Sequence, residues 1–256
     1  AYYAEYRLRY GDETIDYLRD RFGLDESARV LDLGCGAGQL AVPLATHVGE
    51  MVGMDPNEEM LRHARRLAEE VGVENSRWLV GSDADLVTHA DDFDPLRLTT
   101  MGRSFHWMDQ PRTLDRLFEL TEPGGGVALL TDREWLTKGT DAWQAGVYDL
   151  AAEYVDDIPD RVDPETVEYD DPWDELLFDH GFVDVETTTF PVRREWDVDS
   201  VVGNVFSLSF CSPATLGEER EAFEAALREY LHGRDAEQFV QHTEIEIISG
   251  RTEPRS

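Results

Sequence analysis

The residues with the clearest chemical use form one short run, Asp32-Leu33-Gly34-Cys35-Gly36-Ala37-Gly38. Glycine reaches positive φ at no steric cost and carries no side chain, so a ligand can come close to the backbone, as many nucleotide sites require. Asp55 follows about 20 residues beyond the turn, where an acid accepts the hydroxyls of a bound ribose. Two cofactor classes share that acid, and the turn separates them. Dinucleotide sites space their glycines as G-x-G-x-x-G, whereas here the third glycine comes one residue early, as G-x-G-x-G. A pyrophosphate also favours neutral or positive surroundings at a helix N-terminus, and Asp32 sets a negative charge there. S-adenosylmethionine has no phosphate and carries a cationic amino group that suits such a carboxylate. The spacing thus favours S-adenosylmethionine over NAD, with a purely structural glycine turn as the bland alternative. Cys35 reads as a small residue filling the turn, not as a nucleophile.

Such a turn needs a strand before it and a helix after it. Val30–Leu33 supplies the strand and Leu40–His47 the helix. From Arg29 to Asp132 short β-rich apolar runs alternate with amphipathic stretches, the pattern of a parallel sheet flanked by helices. Met51–Met54 reads as the second strand, and Trp78–Val80, Arg97–Met101 and Val127–Leu130 as the third, fourth and fifth. Glu58–Val71 reads as a helix with Asn57 as its N-cap, and Met60, Leu61, Ala64, Leu67, Ala68 and Val71 fall on one face. Pro111–Leu120 reads as another, ended by Glu122-Pro123-Gly124-Gly125-Gly126. Farther on, the spacing predicts a helix over Trp135–Tyr154, an acidic surface excursion over Asp156–Pro172, and helices over Val198–Phe210 and Glu218–His232, one of which would cover the active site. Phe182–Phe190 and Thr243–Ile248 read as strands that pair antiparallel at the sheet edge. The expected organisation is a single domain over residues 1–256, with a cofactor-binding core at about 24–133, a lid and substrate region at about 134–215, and a C-terminal strand pair at about 182–190 and 243–249.

Composition narrows the partners. The chain has 55 Asp plus Glu against 23 Lys plus Arg, a formal net charge of −32, and Lys138 is its only lysine. So acidic a surface repels nucleic acid phosphates and anionic lipids, because it lacks the basic patch that releases counterions on binding. The acids are scattered along the whole chain, which fits adaptation to high internal salt better than an acidic face for a basic partner. No apolar run approaches the roughly 18–20 residues of a membrane span. The N-terminal residues do not read as a secretory signal, and the two cysteines, Cys35 and Cys211, make no disulfide framework. The expectation is a soluble cytoplasmic protein, monomer or homodimer. Seven histidines show no paired spacing with cysteines or carboxylates, so no metal is expected.

These segments together resemble the small class I methyltransferases of the type 11 group, especially those similar to trans-aconitate methyltransferase, from about Tyr6 to Arg133 and more faintly to the C-terminus. Val30–Gly38 resembles the family's cofactor turn, Gly53-Met54-Asp55-Pro56 its ribose-binding acid, and Gly81-Ser82-Asp83-Ala84-Asp85-Leu86 the segment that holds adenine. The resemblance implies cofactor contacts from Asp32, Leu33, Gly34, Cys35, Gly36, Gly38, Asp55, Pro56, Ser82, Asp83, Ala84, Met101 and Gly102. Asp83 would receive the adenine amino group and Ala84 would offer a backbone contact; Ser82 stands where the family usually places glycine. Met101-Gly102-Arg103-Ser104-Phe105-His106-Trp107 resembles the stretch in which an aromatic-His-Trp sequence leaves the fourth strand, and Tyr6-Arg7-Leu8-Arg9-Tyr10 resembles an N-terminal arm that crosses the cofactor pocket but lacks the family's proline.

The fold so implied is a Rossmann-like, mostly parallel seven-stranded sheet of order 3-2-1-4-5-7-6, strand 7 antiparallel, with helices on both faces and a lid insertion after strand 5. The activity implied is methyl transfer from S-adenosylmethionine to a small-molecule acceptor, leaving S-adenosylhomocysteine. Phe105 and Trp107 would face the methyl group, where ring faces stabilise a sulfonium, or else pack as core. His106 would take a proton from the acceptor or hydrogen-bond to it, or be structural. Trp143, Tyr148, Trp173, Trp196 and Phe206 would line an apolar pocket or pack a small lid. Arg103, Arg133, Arg193 and Arg194 are the cations at hand for an acidic acceptor, and a quinone, amine or phenol suits the chain as well. An NAD-dependent oxidoreductase on the same sheet and a non-catalytic cofactor-binding protein remain the rival readings.

Overall fold

Parallel strands covered on both faces read as continuous apolar runs, and β1 (Arg29–Leu33) is one: every residue after Arg29 is buried. In the computed structural model, which describes residues 10–93, 95–132, 142–155, 158, 172–234 and 239–254, β1 lies near the middle of a seven-stranded sheet of order β3-β2-β1-β4-β5-β7-β6. The other strands are β2 (Glu50–Asp55), β3 (Ser76–Val80), β4 (Leu96–Gly102), β5 (Thr121–Asp132), β6 (Val183–Trp196) and β7 (Phe239–Arg251). β1 pairs in parallel with β2 and β4, β2 with β3, and β4 with β5. Strand 7 runs antiparallel, and the order matches the one the resemblance implied.

Helix ends follow local chemistry. The helix α1 (Asp12–Phe22) buries Ile15, Leu18 and Phe22 and stops at Gly23, whose φ of 59° is left-handed. A short α2 (Ala41–Ala45) follows the glycine turn. Then α3 (Glu58–Val71) starts where Asn57 Oδ1 accepts from the amides of Glu59 and Met60, as a capping residue should. Its buried face is narrower than the periodicity predicts: Leu61, Ala64 and Ala68 are buried, but Val71 in the last turn is 59% exposed. After the single turn α4 (Ala90–Phe93), α5 (Gln110–Leu120) begins with Asp109 as its cap and Pro111 in its first turn, where a missing N–H costs nothing.

The glycine cluster before β5 is part of the strand and not a turn outside it. Leu96 pairs with Thr121 and Leu98 with Gly126, so β5 carries a bulge. The glycines permit it: a Cβ at Gly125 would lie 2.6 Å from the Arg97 carbonyl oxygen, and one at Gly126 only 2.1 Å from that of Gly250. Both β6 and β7 run longer than their apolar alternation suggests.

The chain divides into two compact units, whose bounds differ from the expected core of residues 24–133 and lid of residues 134–215. The first holds Arg9–Thr131, Pro172–Phe190 and Ile245–Ser256. Its core packs Leu31, Leu33, Val52, Met54, Phe105, Trp173 and Phe182 together. Residues 172–190, including α7 (Trp173–Asp179), therefore belong with the sheet. The second holds the described residues of 132–171 with Pro191–Glu244. There α6 (Ala142–Tyr154), α8 (Val198–Ser207), the short α9 (Pro213–Leu216) and α10 (Arg220–His232) surround Trp143, Trp196, Phe206 and Phe223. The helices expected from Val198 and from Glu218 are α8, which ends earlier than predicted, and α10, which starts later; α6 covers the described part of the third. Residues 133–141 and most of 156–171 lie outside the described ones. No helix among the described residues is long and apolar enough to cross a membrane.

Candidate cofactor site

The turn after β1 folds back on β2 through backbone bonds: the amides of Gly34 and Cys35 both donate to the Met54 carbonyl, at 2.8 and 3.1 Å. Gly34, Gly36 and Gly38 have φ of 74°, 52° and 79°, all left-handed. At Gly34 a second demand applies, because a Cβ would fall 2.4 Å from Ser104 Cβ. Ser104 in turn donates from Oγ to the Leu33 carbonyl at 2.7 Å, locking the end of β4 to the turn. A left-handed glycine turn between two strand ends that carry carboxylates is a donor and acceptor set that would fit S-adenosylmethionine.

Asp55 closes the other side. Its Oδ2 accepts from the Gly36 amide at 2.9 Å and its Oδ1 from the Asn57 amide at 2.8 Å. Each carboxylate oxygen has two acceptor sites, so this grip leaves capacity for two ribose hydroxyls. Asp83, in the single turn after β3, accepts through Oδ2 from the Asp109 amide at 3.1 Å and the Thr113 hydroxyl at 3.3 Å. Ser82 and Asp85 form a reciprocal cap on the same turn, and the Ala84 side is exposed.

Asp32 behaves differently from its expected part. It is 1% exposed, and it accepts from the Thr100 hydroxyl at 2.8 Å and from the Ala41 amide. So placed, it ties β1 to β4 and to the start of α2, and reaches a ligand only through the turn it holds. Burial, reinforced by the nearby Asp55 charge, pushes its carboxyl up to about 7. Burial and the same two acids raise the Cys35 thiol well above its ordinary value, which disfavours a nucleophilic thiolate there.

At the C-terminal end of β4 the aromatic-His-Trp stretch splits. Phe105 is 1% exposed and meets Trp173 edge-on at 5.5 Å, within the core of the sheet unit. Trp107 is 72% exposed, and the His106 ring lies 5.0 Å from it. Met101 is buried in β4, and Gly102 faces Tyr10, whose hydroxyl would lie 2.6 Å from a Cβ there. Arg103 follows with a φ of 56° and sets its guanidinium 5.4 Å from the Tyr10 ring. Tyr10 therefore reaches the end of β4; Tyr6 to Arg9 of the arm, like Arg133, lie outside the described residues. Of the aromatics expected at an acceptor pocket, Trp143, Trp196 and Phe206 are packed in the core of the second unit and Trp173 in that of the first. Sequence reasoning missed Thr100, Ser104 and Trp78, which shape the turn from other strands. Among the described residues no cluster of His, Cys, Asp and Glu could hold a metal.

Residues 30–125 match a methyltransferase domain family. An uncharacterised methyltransferase-like protein of Schizosaccharomyces pombe is 27% identical over 233 residues, covering 90% of this chain and 82% of its own. A ubiquinone biosynthesis O-methyltransferase of Azoarcus is 31% identical over 117 residues, 46% of this chain and 49% of that one. Among solved structures, a methyltransferase of Thiobacillus denitrificans in complex with S-adenosylhomocysteine shares the fold, with a TM-score of 0.54 at 17% identity over 98% of this chain and 96% of its own.

Proposed function

We propose that the chain is a methyltransferase that uses S-adenosylmethionine, as the matched methyltransferase domain and the relatives support, and that it methylates a small organic acceptor, with a ring-borne hydroxyl as the leading class. The observation that carries this reading is the set of carboxylates around a left-handed glycine turn, held among the described residues by amides and hydroxyls. When bound, S-adenosylmethionine supplies a sulfonium methyl group open to in-line displacement. In this reading Asp55 takes the ribose through the acceptor sites its two amides leave, with Pro56 fixing the chain beside it. Asp83 offers its remaining oxygen to the adenine amino group, and Ser82 and Ala84 shape that turn. Leu33, Gly34, Cys35, Gly36 and Gly38 form the backbone wall, and Met101 and Gly102 the floor at β4.

On the acceptor side, His106 and Trp107 are exposed beside the same strand end. The Trp107 ring would stack on the acceptor, and the imidazole would take its proton near neutral pH. A net charge of −32 disfavours nucleic acid as the acceptor, since phosphates would approach an acidic surface. The relatives named for ubiquinone biosynthesis support a phenolic or quinol oxygen.

The test is turnover with S-adenosylmethionine against catechols, hydroquinones, amines and small carboxylic acids, with transfer RNA and a basic protein alongside, following release of S-adenosylhomocysteine. Turnover on a small molecule is expected. Methyl groups found only on the RNA or the protein would refute the reading.

A further inference from the structure

Trp78 stands on β3 directly opposite Gly53 of β2 in the parallel register. A Cβ at Gly53 would fall 2.4 Å from both Cε3 and Cζ3 of the indole, so the six-membered ring lies against the Gly53 backbone. The far end of that ring reaches the turn, where a Cβ at Gly38 would meet Cη2 at 3.2 Å. Cys35 packs alongside, its Sγ 3.0 Å from the same Cβ position at Gly53. Arg65 of α3 donates to the Trp78 carbonyl at 3.4 Å, tying the strand to the helix above.

One rigid ring thus bridges β2 and the last glycine of the turn. Asp55 lies two residues beyond Gly53 on the same strand, and its Oδ2 holds the Gly36 amide at 2.9 Å. Close-packed interiors transmit small displacements, so any change in the spacing between β2 and the turn acts on that bond. Gly53 is not among the positive-φ glycines, so its backbone does not demand glycine. What excludes a side chain there is the indole.

We propose that Trp78 is a positioning residue for the cofactor: its ring sets the spacing between β2 and the glycine turn and so aligns the Asp55–Gly36 pair for the ribose. The inference rests on the S-adenosylmethionine reading of the site. It explains why a large half-buried aromatic sits behind a turn built of small residues, and why glycine stands at position 53, where the backbone conformation does not demand it.

Calorimetric titration of S-adenosylhomocysteine into the wild type, Trp78→Phe, Trp78→Leu, Gly53→Ala and the Gly53→Ala/Trp78→Leu double variant tests it, with urea unfolding of each apo protein. Trp78→Leu should bind about tenfold more weakly under conditions where it is fully folded, with Trp78→Phe closer to the wild type. Gly53→Ala should be as weak, and the double variant should bind no worse than either single one, because the smaller side chain on β3 vacates the space that the added methyl group on β2 needs. Wild-type affinity in a destabilised Trp78→Leu, or losses that simply add in the double variant, would overturn the proposal. A wild type that does not bind S-adenosylhomocysteine would instead overturn the reading of the site on which it stands.

Discussion

Two clusters of acidic side chains in the sheet unit solve the same electrostatic problem in opposite ways. Where α1 meets the beginning of β6 and the end of β7, Arg21 pairs with Glu186 at 2.9 Å and with Asp184 at 3.5 Å, and Arg251 lies 4.0 Å from Asp184. Arg21 also donates to the Asp184 carbonyl, and the Tyr17 hydroxyl to Glu186 at 2.6 Å. Charge there is neutralised within the protein. At the ends of β1 and β2 and just after β3, Asp32, Asp55 and Asp83 are held only by backbone amides and hydroxyls, and among the described residues none of them forms an ion pair. The first cluster sets its acids against arginines, whereas Asp55 and Asp83 of the second carry negative charge suited to a cationic ligand.

The sharpest way to break the comparison is at the turn itself. Gly34→Ala must strain a φ of 74° and push Cβ to 2.4 Å from Ser104, a combined cost of roughly 2–5 kcal/mol in stability. Urea unfolding should show that loss, and binding of S-adenosylhomocysteine should disappear in calorimetry. Asp55→Ala comes next. It removes a charged acceptor from two amides and from the ribose, so affinity should fall by about 1–3 kcal/mol, roughly five- to 150-fold; unchanged affinity would mean that the acid does not face the sugar.

Asp32→Asn separates burial from binding through pH. The folded carboxyl titrates at about 7, raised from 3.8 mainly by burial. The folded state therefore holds its proton more tightly than the unfolded one, and the stability this contributes is present at low pH and lost as pH rises through 7. Urea unfolding at several pH values should show the variant gaining on the wild type between about pH 4 and 7 and keeping a constant advantage above that. Parallel curves across the range would contradict the buried, unpaired placement. The smallest effect belongs to the other cluster. Arg21→Leu leaves Asp184 and Glu186, which are 61% and 43% exposed, to the solvent, so it should cost about 1 kcal/mol, more at low salt. Cofactor affinity should not change.

The parts of the fold that could be read from sequence were those whose signal is local. Asn57 and the periodicity behind it fix α3 because a cap and an amphipathic face lie within a few turns of one another. The glycine turn and Asp55 were readable for the same reason: spacing along the chain carries the chemistry. The signal for α1 is weak although Ile15, Leu18 and Phe22 repeat at helical spacing, because the repeat spans only about two turns and Gly11 offers no side-chain cap. The full lengths of β6 and β7 depend on each other as partners, which neither strand's own pattern reveals. In the site, what escaped was contact between distant residues. Thr100 reaches Asp32 across a separation of 68 residues and Ser104 reaches Leu33 across 71, and nothing in either neighbourhood marks them. Phe105 and Trp107, adjacent to one histidine and alike in type, went to opposite sides of the surface because a short helical turn points them apart.

The most direct measurement is calorimetric titration of the wild-type protein with S-adenosylhomocysteine and, separately, with NADH. A phosphate-free adenosyl ligand should bind with a single site per chain, and the diphosphate-bearing one should give no heat of binding, because Asp55 and Asp83 stand around the turn with no ion pair among the described residues. Saturable binding of NADH, or none of S-adenosylhomocysteine, would contradict the account.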